Sequence, residues 1–157
     1  MSSRFRYFVS KITGVISRTT RYGCITYCIL EFIGDISICS GPSMQPTLYT
    51  GDIVISEFIS IRNYRFNYGD IVVSKSLSDP KQFICKRITG LPGDKMKMNF
   101  AKYQYVPMGH VWLEGDNRDF SSDSRDYGPV PQGLIRGRVI CRVWPLKDIT
   151  MLTVRAE

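Results

Sequence analysis

The chain has 157 residues and a formal net charge of +7, with 43% hydrophobic and 22% charged residues. This composition is typical of a globular protein and excludes a wholly disordered or collagen-like chain. Residues 1–21 carry five basic side chains and no acidic one, whereas the rest of the chain carries 16 basic and 14 acidic side chains. Because the excess charge lies in the N-terminal segment and not on the body, we expect no nucleic-acid partner.

The N-terminal segment, residues 1–39, is basic, rich in Ser and Thr, and free of acidic residues before Glu31. This composition is typical of a targeting or membrane-surface segment. The uncharged run 22–30 is shorter than the roughly 20 apolar residues of a membrane-spanning helix. Isoleucines four residues apart would share a helix face that excludes Glu31 and Asp35, which predicts an amphipathic anchor helix on a membrane or a partner. A helix packed on its own domain and a membrane span with polar residues both stay open.

The remainder, residues 40–157, predicts a mainly β domain, because short β-branched runs alternate with Gly-Asp and Pro-Gly turns. The predicted strands are Ile53–Ser56, Ile71–Ser74, Phe83–Ile88, His110–Leu113 and Gly137–Trp144, with a loop or short hairpin over 99–106. The sequence Gly-Asp-Ile-Val occurs at Gly51 and again at Gly69. We expect these two copies to begin neighbouring strands of one sheet.

The sequence predicts neither a metal site nor a cofactor. Its five cysteines include no C-x-x-C pair, so a zinc ribbon and a redox motif are excluded. The polar stretch Gly115–Gly128 alternates in charge, but it lacks the residue order and terminal Glu of a calcium loop.

Two side chains are candidates for a nucleophile and its base. Ser43 lies among Gly and Pro residues in a turn that exposes a hydroxyl, and a serine nucleophile needs a base within hydrogen-bond reach. On the predicted strand, Lys86 shares a face with Ile84 and Ile88, and burial there would lower its pKa. Arg87, on the opposite face, is expected to point to water.

Other arrangements of these residues are open at this stage. His110 is the only histidine, and the spacing permits a triad of Ser43, His110 and Asp116. In the polar stretch 115–128, Asp123 and Arg125 are expected to pair, and a serine of that loop is expected to orient the lysine amine.

Together these stretches resemble the type I signal peptidases, membrane-bound serine–lysine proteases that remove targeting sequences. The matching motifs, in order, are Ser43–Thr47, Gly69–Val73, Lys86–Asp94 and Gly115–Arg125. The resemblance implies signal-peptidase-like coiled antiparallel sheets with one N-terminal helix. It also implies that Ser43 is the nucleophile and Lys86 the general base, that Ser121 orients Lys86, and that Asp123 and Arg125 form a structural ion pair. Met44 and Ile84 would line the pockets for substrate residues before the cut.

Several stretches, among them Val106–Asn117 and Gly133–Arg138, are similar to the mitochondrial branch of this family, the inner membrane proteases. That similarity implies a catalytic domain in the intermembrane space, an anchor in the inner membrane, a second catalytic subunit as heterodimer partner, and precursor proteins with sorting presequences as substrates. The sequence departs from many bacterial members at Gly41, where a serine often helps to stabilise the oxyanion. Alternatives are a bacterial-type or other signal peptidase, a self-cleaving repressor-like protease and a non-catalytic membrane adaptor.

Overall fold

The computed structural model describes residues 3–99 and 102–152. The chain divides into two compact units, with the boundary between Ile33 and Gly34. The sequence predicts a boundary after residue 39, and strand β1, Gly34–Ile38, pairs with the strand that follows the Ser43 turn. The second unit therefore includes a strand that lies in the segment 1–39 of the sequence analysis.

The N-terminal unit contains helix α1, Ser3–Cys28, followed by one π-helical turn, Ile29–Ile33. A helix is present as predicted, although Asp35 lies on β1 and not on the helix. Ile12, Val15 and Ile16 are exposed, and their spacing puts them on one helix face. Within the described residues, no helix is both long and apolar enough to cross a membrane.

The second unit is mainly β, as predicted. After β1, its strands are β2 Ile53–Glu57, β3 Ile71–Lys75, β4 Phe83–Gly90, β5 Lys95–Lys97, β6 Tyr103–Tyr105, β7 His110–Glu114, β8 Val130–Pro131, β9 Ile135–Trp144 and β10 Thr150–Met151. Its short α-helices are α2 Ile59–Arg62 and α3 Ser124–Tyr127, and 3₁₀ turns lie at Arg118–Phe120, Gln132–Leu134 and Leu146–Asp148.

The main sheet is antiparallel and has the strand order β1-β2-β9-β3-β4-β7-β8, with β10 paired to β9. Strands β5 and β6 form a separate antiparallel pair. The predicted loop or short hairpin over 99–106 contains β6, whereas β5 lies before it. The two Gly-Asp-Ile-Val copies begin β2 and β3, which belong to one sheet but are not neighbours. Strand β9 lies between them and pairs with both at Arg138. Each strand thereby gains an antiparallel partner, whereas direct pairing of these two would be parallel.

Apolar side chains pack in two clusters. One cluster consists of Ile61, Val72, Ile88, Val111, Leu113, Val130 and Ile135. The other consists of Met44, Leu48, Val54, Ile71 and Val139. Neighbours on β3, Ile71 and Val72, belong to different clusters because alternate residues of a strand face opposite ways. The second cluster includes Met44 and Leu48 of the turn that carries Ser43.

Candidate active site

The turn that carries Ser43 is held at several points. Met44 and Leu48 are buried, with 4% and 1% of their surface exposed, and the Leu48 amide donates to the Met44 carbonyl at 2.9 Å. The Ser43 carbonyl accepts a hydrogen bond from the Asn117 amide at 3.0 Å. Ser43 itself stays partly exposed. The turn is therefore fixed by its apolar residues while its serine reaches the surface.

Lys86 lies on β4 and is buried, with 4% of its surface exposed. Its Nζ donates a hydrogen bond to Ser121 Oγ at 2.8 Å. Burial lowers the pKa of Lys86 below its usual 10.5, and the negative charge of Asp123 only partly opposes that effect. The predicted burial of Lys86 on the same strand face as Ile88 is confirmed, since Ile88 is fully buried.

Ser121 connects Lys86 to a buried ion pair. The Ser121 hydroxyl donates to Asp123 Oδ2 at 2.6 Å, and Asp123 has no exposed surface. Arg125 donates to both carboxylate oxygens, from Nε at 2.9 Å and from NH2 at 2.6 Å. Burial alone would raise the pKa of Asp123, but hydrogen bonds from Arg125, Gly115 and Ser121 outweigh it and hold that pKa below its usual range. Asp123 is therefore a stable acceptor that fixes the orientation of the Ser121 hydroxyl.

Gly115 lies close to both Ser121 and the Ser43 turn. A Cβ atom at this position would lie 2.3 Å from Ser121 Oγ and 2.5 Å from the Ser43 carbonyl oxygen. Such approaches are far inside van der Waals contact, so only glycine fits without a shift of its neighbours. The lack of a side chain at Gly115 therefore permits the close approach of both the Ser43 backbone and Ser121, the hydrogen-bond partner of Lys86.

Arg87 does not point to water as predicted. It donates to both oxygens of Asp116, from Nε at 2.8 Å and from NH2 at 2.7 Å, and its NH1 donates to the Gly69 carbonyl at 2.7 Å. Thr47 Oγ1 donates to Asp116 Oδ2 at 2.5 Å. A quarter of the Arg87 side chain is exposed. The carboxylate at Asp116 attracts the guanidinium inward and ties β4 to the far end of the Ser43 turn.

The triad of Ser43, His110 and Asp116 is not formed. His110 lies on β7, where its Nδ1 is 3.1 Å from the Met108 carbonyl oxygen. Both carboxylate oxygens of Asp116 are engaged by Arg87. Neither residue lines the cleft that contains Ser43.

A cleft of about 510 Å³ contains both Ser43 and Lys86. Met44 and Ile84, the residues expected to contact substrate, line it as well. One wall comes from β1 and the other from β4, and residues of β2, β3 and β9 lie between them. Strand β4 pairs with β3 over Phe83–Arg87 but with β7 only from Arg87 onward. In the described sheet, the wall segment of β4 therefore has strand neighbours on one edge only.

Comparison with known proteins identifies the family. The family model described as "Signal peptidase, peptidase S26" matches residues 12–102 and 96–144. The human mitochondrial inner membrane protease subunit 1 is 50% identical over 152 residues, covering 94% of this chain and 92% of that protein. The chain belongs to the signal peptidase family, peptidase S26. It is therefore a serine protease of the signal peptidase type.

The similarity extends across distant organisms. Mitochondrial inner membrane protease subunit 1 of Schizosaccharomyces pombe is 48% identical over 122 residues, covering 74% of this chain and 78% of that protein. Subunit 2 of the same protease from Danio rerio is 37% identical over 147 residues, covering 89% and 78%. A solved signal peptidase I from Enterococcus faecalis aligns over 46% of this chain and 95% of its own, at 22% identity and a TM-score of 0.41, which is too low to carry an argument.

The family motifs contain the residues that meet in this site. Two features of the structure were not predicted from the sequence. The bond between Arg87 and Asp116 was missed because strand alternation does not show what faces an outward residue. Helix α3 was missed although its capping box is readable: Asp123 and Asp126 each accept from the other's backbone amide. Gly41, where many bacterial members carry serine, has a φ of 88°, a left-handed conformation that suits glycine.

Proposed function

We propose that Ser43 is the nucleophile and Lys86 the general base of this protease. The observation that supports the proposal best is that a buried lysine with a lowered pKa shares a cleft with a partly exposed serine. A neutral amine has one lone pair, and Lys86 donates its N–H to Ser121, so the lone pair is left to accept the Ser43 proton.

In the proposed reaction, the Ser43 proton passes to Lys86 Nζ while Oγ bonds to the peptide carbonyl carbon. The oxyanion is stabilised by backbone N–H groups near Ser43. Lys86 then protonates the departing amine, and the C–N bond breaks to leave an acyl-enzyme. Water attacks the ester with Lys86 again as base, which restores the Ser43 hydroxyl and releases the new carboxyl end of the substrate.

Substrate binds in this proposal as an added strand on the β4 wall of the cleft. The wall segment of β4 is paired on one edge only in the described sheet, and extended peptides bind such edges through backbone hydrogen bonds. Ile84 and Met44, which line the cleft, would contact the side chains before the scissile bond.

The names of the relatives support an inference about where this protease works and with which partner. Proteins at about half identity are subunits of a mitochondrial inner membrane protease, and a subunit 2 is also related to this chain. We infer that this protease works at the mitochondrial inner membrane, with its β unit in the intermembrane space and a second subunit as heterodimer partner. Its substrates would be precursors that carry sorting presequences. Carbonate extraction of mitochondria tests how α1 is attached: release of the protein supports surface binding, and retention supports a span.

The test of the catalytic pair is cleavage of a presequence-bearing precursor by Ser43→Ala and Lys86→Ala, each measured separately. Both variants should lose at least about 1,000-fold in kcat/KM, because each member of a nucleophile–base pair is required. Ser122→Ala and Lys75→Ala are matched controls, since both residues are exposed and should leave the rate unchanged. An activated peptide ester should acylate Ser43 in the parent, as seen by intact mass, and should do so far more slowly in Lys86→Ala. Cleavage at the parental rate by both variants would contradict the assignment of Ser43 and Lys86 as the catalytic pair.

A further inference from the structure

The two-stranded ribbon of β5 and β6 carries a basic and aromatic surface outside the cleft. Its register pairs Lys95 with Tyr105 and Lys97 with Tyr103. Paired residues of two strands point to the same side of the ribbon, and so do residues two apart on one strand. These four side chains therefore form one surface, which we call the ribbon face. All four are exposed, Tyr103 by 60% and Tyr105 by 64%, and none of them lines the cleft that contains Ser43.

The opposite side of the ribbon packs on the second unit. A Cβ atom at Gly90 of β4 would lie 2.9 Å from Met96 Sδ and 2.9 Å from Trp112 Cβ, so Met96 lies against β4 beside β7. Gln104 lies close to Gly128, where a Cβ atom would be 3.2 Å from Gln104 Oε1. The ribbon face is thus presented on a packed support, and a preformed surface loses little conformational freedom when a partner binds.

The ribbon face is positively charged and has no carboxylate of its own. Residues 95–113 contain three lysines and no Asp or Glu. Lys95 Nζ lies 5.0 Å from the ring centre of Tyr103 and 5.9 Å from that of Tyr105, a cation–π arrangement that holds the ammonium above both rings. Within residues 3–99 and 102–152, neither Lys95 nor Lys97 forms an ion pair. Both ammonium groups are therefore available to carboxylates from outside.

A protein segment fits this surface better than an anionic membrane does. Basic segments that bind acidic lipids typically contain a cluster of about four to eight Lys or Arg, whereas the ribbon face has two lysines. Tyrosine is enriched in protein interfaces, because its ring buries apolar area while its hydroxyl forms hydrogen bonds. Two exposed rings beside two lysines therefore favour a polypeptide that supplies both carboxylates and apolar side chains.

We propose that the ribbon face binds an acidic segment of a partner protein. Carboxylates of that segment pair with Lys95 and Lys97, and its apolar side chains pack on the rings of Tyr103 and Tyr105. Because the ribbon face lies outside the cleft, this binding goes beyond the proposed function and does not depend on the proposed catalytic pair.

The experiment measures binding of a fluorescein-labelled peptide of alternating Glu and Leu to the full-length protein at physiological salt, by fluorescence anisotropy. The parent should bind it saturably, and a peptide with Lys in place of Glu should not bind. Combined Lys95→Gln and Lys97→Gln should weaken binding by about 5-fold, as expected for exposed ion pairs. Combined Tyr103→Ser and Tyr105→Ser should weaken it by at least about 10-fold, because buried aromatic anchors contribute most to interfaces.

Matched controls separate this surface from the general positive charge of the chain. Combined Lys75→Gln and Lys81→Gln removes two exposed lysines elsewhere and should keep the parental affinity. The ribbon variants should cleave precursor at the parental rate, which shows that they are folded. Ser43→Ala should bind the peptide like the parent, so failure of the proposed catalytic function would leave this measurement intact.

Three results would overturn the proposal. One is the absence of saturable binding by the parent. Another is an equal loss of affinity in the ribbon lysine variant and the control lysine variant. The third is co-sedimentation of the protein with vesicles of anionic phospholipid that depends on Lys95 and Lys97, without binding of the acidic peptide, because the ribbon face would then bind a membrane instead of a protein.

Discussion

The two cations at neighbouring positions of β4 have opposite surroundings. Lys86 is buried with a serine hydroxyl as its hydrogen-bond partner, whereas Arg87 donates to both oxygens of a carboxylate. Burial lowers the pKa of Lys86. The hydrogen bond to Asp116 raises the pKa of Arg87. On one face of β4, Lys86 is costly to keep charged. On the other face, Arg87 is permanently charged and has a structural role.

Because of this difference, Lys86 suits proton transfer, whereas Arg87 stabilises the fold. A lysine with a lowered pKa binds its proton more weakly in the folded protein than in the unfolded chain, so protonation disfavours folding. A paired arginine stabilises the fold and has no proton to exchange near neutral pH. Replacing either side chain by an apolar one of similar length should therefore have opposite effects on stability.

The largest effect is expected for Lys86→Met. Activity should fall by at least about 1,000-fold, while the free energy of unfolding at pH 7 should rise, because an apolar side chain removes the cost of burying the amine. In the parent, the contribution of Lys86 to stability increases as the pH rises from its folded pKa to its unfolded pKa. Urea unfolding of both proteins at pH 7 and pH 10 measures this, and the gain from the substitution should be smaller at pH 10. A Lys86→Met protein less stable than the parent at pH 7 would contradict the account.

Ser121→Ala should have the next largest effect. It removes the hydroxyl that positions the Lys86 amine, and the loss of one hydrogen bond of this kind corresponds to about 10- to 100-fold in kcat. Acylation by the activated peptide ester should slow by the same factor, and Ser121→Thr should recover much of the rate because it keeps the hydroxyl. Ser122→Ala, one residue along, is the control. Equal rates for the parent and Ser121→Ala would show that Lys86 is positioned by other contacts.

Arg87→Met should affect stability more than catalysis. It leaves Asp116 with Thr47 but without its cation, at a cost of about 2 kcal/mol in the free energy of unfolding, and activity should fall by about 10-fold or less. Arg118→Met, at an exposed arginine, should leave both quantities unchanged. Thermal unfolding and precursor cleavage measure the two effects. If Arg87→Met lost as much activity as Lys86→Met, Arg87 would be required for catalysis as well as for stability, which would contradict the difference between the two faces of β4.

The same comparison shows what the sequence can predict. Strand periodicity places Lys86 with Ile88 on a buried face, because that inference needs only neighbours two residues away. The partners of Arg87 lie 29 and 40 residues away along the chain, at Asp116 and Thr47, and no local pattern indicates which loop will face a strand. For the same reason the sequence missed β1 as a wall of the cleft, since Gly34–Ile38 becomes a strand through its pairing with β2.

Titration of the Lys86 amine tests the central claim most directly. Nitrogen-15 NMR of lysine-labelled Ser43→Ala protein, with Lys86→Met used to assign the signal, gives the pKa of this one group. We expect a pKa below the usual 10.5, and a rise in parental kcat/KM as the pH increases through that same value. A Lys86 pKa at or above 10.5 would contradict the account, because the amine would then be charged and unable to accept the Ser43 proton.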